Sequence, residues 1–203
     1  MISLTPLQPL LLPLIMFTGL ATFTPGPNNI FLTLSGCQHG YRKSLPFILG
    51  IRIGIALLFV LMSSGIGVLI LKYPSSYLML KLLGSSYLIY LAIKIARTQF
   101  STADQQSVQL LGWRQGLLLQ FINPKSMLMV LSCISAFSLP NELYFYSVIQ
   151  ALLVFTVVGT FSNCCWVMFG MSIKQYLSTE KRHKSFHYIL AALTLVAVAL
   201  LFI

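Results

Sequence analysis

Six long apolar runs dominate this chain and leave it few folds. They cover approximately residues 9–36, 45–71, 76–96, 113–138, 142–171 and 186–203. A helix needs about 20 mostly apolar residues to cross a bilayer. None of the runs shows the alternating polarity, about ten residues at a time, that a membrane β-barrel strand requires. The expected fold is an all-α integral membrane protein of six transmembrane helices, a single transporter-like domain over residues 1–203. Composition agrees. Only 8% of residues are charged, against roughly 25% in soluble domains. The only carboxylates are Asp104, Glu142 and Glu180.

The net charge of +10 raises the question of nucleic acid. No dense basic stripe exists, and the aromatics lie among aliphatics rather than beside cations. Nucleic acid is therefore not an expected partner. The cations instead set topology. Arg42 and Lys43 follow the first run; Lys94, Arg97 and Arg114 flank the polar segment after the third; Lys174, Lys181, Arg182 and Lys184 follow the fifth. These all fall on one side of the membrane. Only Lys72 falls in a loop on the other. The positive-inside rule assigns the basic side to the cytoplasm, so both termini are expected outside. No Lys or Arg precedes the first run, which reads as a retained helix rather than a signal peptide. Three cations remain inside apolar runs: Arg52, Lys81 and Lys125. Lys81 and Arg52 are near enough to helix ends to snorkel. Lys125, near the middle of the fourth run, is not, and such residues mark function.

The first run contains TPGPNN, Thr24 to Asn29. Proline lacks an N–H and clashes with the preceding turn, so Pro25 and Pro27 should break the helix near mid-membrane. The fourth run contains FINPKS from Phe121. Aligning Pro27 with Pro124 places Asn28 on Lys125 and Asn29 on Ser126. Each break lies in the first helix of a three-helix half. Three is odd, so the halves enter the membrane in opposite directions, as inverted repeats: about 9–96 and 113–203, joined by a cytoplasmic linker, 97–112. Paired, interrupted helices at matching positions point to a transporter's midplane site. Each break exposes a half-helix N-terminus, which favours a carboxylate.

The segment TPGPN resembles the helix-1 signature of the LysE/RhtB family of bacterial amino-acid exporters. Gly50 and Gly54, then Gly84, Tyr87 and Leu88, then Gly116, Asn123, Pro124 and Lys125 match further motifs of that family. TPGPNNI, HGYRKS, LAIKIA and VGTFSNCCW resemble segments of members that export cysteine and O-acetylserine. The resemblance implies efflux of small neutral amino acids across a bacterial inner membrane by a multi-pass protein.

Candidate substrate-binding residues are Thr24, Pro25, Gly26, Pro27, Asn28, Asn29, Asn123, Pro124 and Lys125. Arg52, Tyr87, Asn163 and Trp166 are candidates for lining the path. An amino acid is a zwitterion: Lys125, Arg52 and the half-helix N-termini suit its carboxylate. Its ammonium needs freed carbonyls, Asn28, Asn29, Asn123 or Asn163, because no carboxylate lies in a helix core. A cationic substrate beside Lys125 would be costly. Protons are the candidate coupling ion, with uniport the alternative. His39, His183 and His187 lie in or near loops and read as solvated. Gly50 and Gly54 read as close-packing residues.

No enzyme is expected. No Ser/His or Asp/Asp arrangement occupies a helix core, and no P-loop is present. Cys37, Cys133, Cys164 and Cys165 form no CxxC and have no histidine at metal-ligand spacing, so neither metal nor cofactor is implied. The alternatives are a membrane thiol–disulfide conduit and a non-transporting membrane subunit. Lipid is the surrounding partner, and a homo-oligomer is compatible with the sequence.

Overall fold

The computed structural model describes residues 5–66, 74–96, 112–177 and 179–199. Lys72, Arg97 and Asp104 lie outside them, as does most of the linker. So do the side chains of Lys81 and Lys94. The described residues form seven α-helices and no strand: α1 (Gln8–Phe23), α2 (Pro27–Leu61), α3 (Pro74–Ala96), α4 (Trp113–Ile122), α5 (Pro124–Phe137), α6 (Tyr144–Lys174) and α7 (Glu180–Ala199).

Both expected breaks are present. α1 stops at Phe23, and Gly26 is fully extended (φ −175°, ψ 177°) before Pro27 opens α2. α4 stops at Ile122, and Asn123 (φ −85°, ψ 105°) precedes Pro124, which opens α5. The second break bends the chain by 69°. In each case proline occupies the first helical position, where its missing N–H costs nothing.

The expected loop around HGYRKS is much shorter than its polarity suggests. Helix runs on both sides of it within α2, and only Gly40 leaves helical geometry, at φ 77° and ψ −179°. That conformation is open to glycine and strained for other residues. The chain turns sharply there. Ser35 Oγ and Ser44 Oγ are 2.7 Å apart, whereas nine residues of straight helix would separate their backbones by about 13 Å. Ser44 Oγ also donates to Gly40 O at 2.8 Å, which satisfies a carbonyl at the turn. The polar segment before α7 is shorter too, because EKRHKS belongs to that helix. His187, read as solvated, is buried on α7, with Nε2 3.4 Å from Gln38 Nε2.

Among the described residues, three helices are long and apolar enough to cross a membrane: Thr5–Phe23, Pro27–Gly65 and Asn141–Lys174. The bent pair α4–α5 makes a fourth, and Lys184–Val196 is a shorter apolar helix. α2 packs on α6 and α4, α1 on α6, and α3 on α7.

Close packing rests on glycines facing backbone. A Cβ on Gly36 would lie 2.1 Å from Val167 O, and one on Gly170 2.0 Å from Thr33 O. That is one reciprocal seam, between the first part of α2 and α6. A Cβ on Gly50 would lie 1.9 Å from Trp113 O, and one on Gly116 2.4 Å from Phe47 O. That is a second seam, between the later part of α2 and α4. Gly54 meets Leu117 O and Gln120 in the same seam, and Gly84 of α3 meets Ile122 O. The close-packing role expected of Gly50 and Gly54 holds. In lipid, where hydrophobic burial does not drive helices together, such small-residue contacts supply the packing.

Candidate functional site

The two breaks meet and bridge each other. Lys125, one residue after Pro124, donates from Nζ to Thr24 O (2.6 Å) and Pro25 O (3.3 Å) of the first break. Asn28, one residue after Pro27, donates from Nδ2 to Gln120 Oε1 at 2.8 Å, beside the second break. Asn123 Nδ2 returns a bond to Asn28 Oδ1 at 3.4 Å. Asn28 and Lys125, paired by aligning the two prolines, thus each reach across to the opposite break. Gly26 makes this geometry possible: a Cβ there would lie 2.9 Å from Lys125 Cδ.

Most carbonyls released at the first break have protein donors. Asn29 Nδ2 donates to Thr22 O (2.8 Å) and Thr24 O (2.9 Å). Ser162 Oγ of α6 donates to Thr22 O at 3.0 Å, and Lys125 takes Thr24 and Pro25. Thr24 Oγ1 bonds back to Leu20 O. The expectation that freed carbonyls stand ready for a substrate ammonium is therefore not met at Thr22, Thr24 and Pro25. At the second break Asn123 Oδ1 caps α5 by accepting from Lys125 N at 3.1 Å, an ordinary N-cap.

Gln120 is the site residue that sequence reasoning missed. It is fully buried. Its Nε2 donates to Asn28 Oδ1 (3.2 Å) and Gly116 O (2.9 Å), and its Oε1 accepts from Asn28 and from Ser126 Oγ (2.8 Å). Both ends of the amide are thus used. The available signal was a lone glutamine inside LLLQFIN, one turn from Gly116 and from Pro124.

Arg52 enters from the later part of α2. Its Nη1 donates to Phe155 O of α6 at 3.0 Å. Asn163, with its amide oxygen turned toward the guanidinium, accepts from Nη2 at 3.2 Å and donates to Gly159 O at 3.2 Å. Gly159 makes room: a Cβ there would lie 2.0 Å from Nη1. Arg52 Nε is buried and finds no acceptor among the described residues. Arg52 does not snorkel to a helix end; it is held between helices.

Two cavities adjoin the crossing. The smaller, about 20 Å³, is walled by Gly26, Asn28, Asn29, Arg52, Lys125 and Asn163, among others. It holds about one water molecule. The larger, about 380 Å³, shares Pro27, Asn123 and Lys125 and extends past Phe17, Leu88 and Ser132. Tyr87 and Trp166 line neither. Tyr87 is half-buried beside Tyr90 (ring centroids 6.3 Å), and Trp166 packs edge-on against Phe169 at 5.9 Å. All four cysteines are free. No group of three or more His, Cys, Asp or Glu among the described residues suits a metal ion.

The chain matches known proteins over most of its length. It is 32% identical over 155 residues to proteins named cysteine/O-acetylserine efflux protein from Escherichia coli K12, Shigella flexneri serotype 5b and Shigella sonnei. The match covers 76% of this chain and 78% of each relative. No solved structure matches. Residues 20–203 fit the model of the LysE type translocator family. With the paired helix breaks and apolar helices, this makes the chain a multi-pass membrane transporter of the LysE family, and not an enzyme.

Proposed function

We propose that this protein exports small neutral amino acids from the cytoplasm by alternating access, with cysteine and O-acetylserine as its first substrates. The observation that carries the reading is the reciprocal bridge between the breaks, Lys125 to Thr24 and Pro25, Asn28 to Gln120. It joins polar groups of both halves at one point, beside a cavity large enough for a small solute. The name of the relatives supplies the substrates. The absence of any carboxylate from the core of an apolar run, Glu142 standing at the edge of the fifth, disfavours lysine or arginine, whose extra cation would lack a counter-ion. The substrate lies against Asn28, Asn123 and the half-helix N-termini at Pro27 and Pro124 in this reading.

The test is counterflow in proteoliposomes. Vesicles are preloaded with unlabelled reduced cysteine, O-acetylserine, threonine or lysine, and uptake of the matching labelled compound is followed. Cysteine or O-acetylserine is expected to exchange and lysine is not. A variant with all four cysteines replaced by alanine is expected to retain the exchange, because no cysteine contacts the bridge. Loss of exchange in a folded cysteine-free protein would favour a thiol–disulfide conduit. Exchange of lysine would overturn the charge argument.

The same reading proposes six spans as two inverted repeats in the inner membrane, with both termini periplasmic. Its support is the turn at Gly40. A straight α2 of 35 residues would run about 52 Å, well beyond a hydrocarbon core of about 30 Å. Folding back at Gly40 divides it between two spans. In the cysteine-free background, single cysteines at Arg42 and Glu142 are expected to label from opposite sides of the membrane, Arg42 only after permeabilisation. Labelling of both by an impermeant reagent in intact cells would refute this topology.

A further inference from the structure

Two cations wall the small chamber, and neither has a carboxylate partner among the described residues. Glu142 lies in the short turn Asn141–Leu143 before α6, Glu180 is the first residue of α7, and Asp104 belongs by sequence to the linker. The partners of Arg52 and Lys125 are instead neutral: Phe155 O and Asn163 for the guanidinium, Thr24 O and Pro25 O for the ammonium. Neutral acceptors satisfy hydrogen bonds but leave the charge uncancelled. An arginine stays charged at any physiological pH, and burying uncompensated charge is expensive. Lys125 has turned toward the first break. Arg52 has committed Nη1 and Nη2, and its Nε remains without an acceptor.

A zwitterionic substrate brings no net charge, so loading a neutral amino acid does not cancel the two cations. The chamber itself, about 20 Å³, is too small for a whole amino acid and suits a single ion or one carboxylate tip. Asn28 and Asn163 also wall it, but their amide nitrogens are engaged with Gln120 and Gly159, so the chamber's charge comes from Arg52 and Lys125.

We propose that the chamber beside Arg52 is an anion subsite that takes one small negative group together with each zwitterion. That group is either a halide bound alongside a neutral amino acid or the acidic side chain of a short anionic one. The proposal rests on the exporter reading for its place in transport but not for its binding chemistry. Arg52 is the residue that holds the anion, Asn163 and Phe155 O orient its guanidinium, and Gly159 leaves the space that the guanidinium fills.

The experiment measures binding apart from transport. The purified protein is melted in detergent with potassium chloride or potassium gluconate at equal ionic strength, and separately with aspartate or asparagine. A ligand that binds only the folded state raises the melting temperature. Chloride, aspartate or both are expected to stabilise the native protein above their controls, and an Arg52→Gln variant is expected to lose that effect, with apparent affinity about ten-fold lower or worse. Stabilisation by chloride alone identifies the halide; stabilisation by aspartate alone identifies the side chain. Arg52→Lys, which keeps the charge but loses the fork, is expected to bind more weakly than native. Absence of any anion-specific stabilisation in the native protein overturns the proposal, whatever the variants do. So does stabilisation that survives unchanged in Arg52→Gln. Cysteine counterflow in the same chloride and gluconate buffers separates the two readings. Anion-specific stabilisation with no amino-acid exchange removes the exporter and leaves the subsite; exchange with no anion effect does the reverse.

Discussion

Replacing Lys125 by methionine is expected to lower cysteine counterflow about 10- to 100-fold while the protein still inserts and folds. Methionine keeps an unbranched apolar stem past Gly26 and removes the ammonium. Two bonds vanish with it, to Thr24 O and Pro25 O. Hydrogen bonds to charged groups contribute about 1.5–3 kcal/mol each. Thr24 O keeps Asn29 Nδ2, so the first break does not collapse. What is lost is one arm of its tie to the second break, the Asn28–Gln120 arm remaining. In the alternating-access reading proposed above, relative motion of the two halves is then less tightly coupled at the crossing. Lys125→Arg is a separating control, because it retains charge while a planar fork cannot reproduce a compact ammonium between two carbonyls. It is expected to recover less than half of the lost rate. Native exchange by Lys125→Met, measured on protein with a native melting profile, would mean that the bridge takes no part in transport.

Much of this site was readable because proline and buried charge are rare in apolar helices and each has one main physical consequence. Pro25, Pro27 and Pro124 gave both breaks to within a few residues. Lys125 stood out because an ammonium at mid-run needs partners. The proline alignment paired Asn28 with Lys125, and those two make the reciprocal bridge. The partners were harder to see. A helix apolar on every side has no stripe that reveals which face is inside, so Gln120 looked like one polar residue among leucines. Its role appears only when α2 brings Asn28 alongside. Arg52 was ambiguous for a similar reason: snorkelling and burial have the same sequence, and Phe155, Gly159 and Asn163 lie more than a hundred residues away. Turn length was also hidden. HGYRKS has loop composition, yet Gly40 supplies a conformation that lets the reversal occur at one residue while its polar neighbours stay helical. The carbonyls freed at the first break were expected to be vacant, but nearby Asn29 and distant Ser162 and Lys125 occupy them.

The largest losses of stability are expected at the glycine seams. Gly36→Ala and Gly50→Ala should each destabilise the folded protein by about 1–3 kcal/mol, the usual range for forcing extra volume into a packed interior. The added methyl would meet backbone carbonyls, Val167 O at 2.1 Å and Trp113 O at 1.9 Å, and not the flexible end of a side chain. Relief therefore requires whole helices to separate. Gly19→Ala is the internal control: nothing lies within 4 Å of its added Cβ. There the lower entropy cost of alanine in a helix should leave stability unchanged or raised by about 0.5–1 kcal/mol. The seams also make a prediction about pairs. Gly36 and Gly170 sit in the same reciprocal contact between α2 and α6, so the first alanine opens space for the second. The double variant should cost less than the sum of the singles. Gly36 and Gly50, both on α2, lie in different seams, against α6 and against α4, and contacting neither the same residues nor each other they should add within about 0.5 kcal/mol. Thermal unfolding of the native protein, the four single variants and the two double variants in one detergent measures all of this. Equal melting temperatures for Gly19→Ala, Gly36→Ala and Gly50→Ala would show that these helices do not approach at their glycines, and the placement of the breaks that the seams hold together would fall with them.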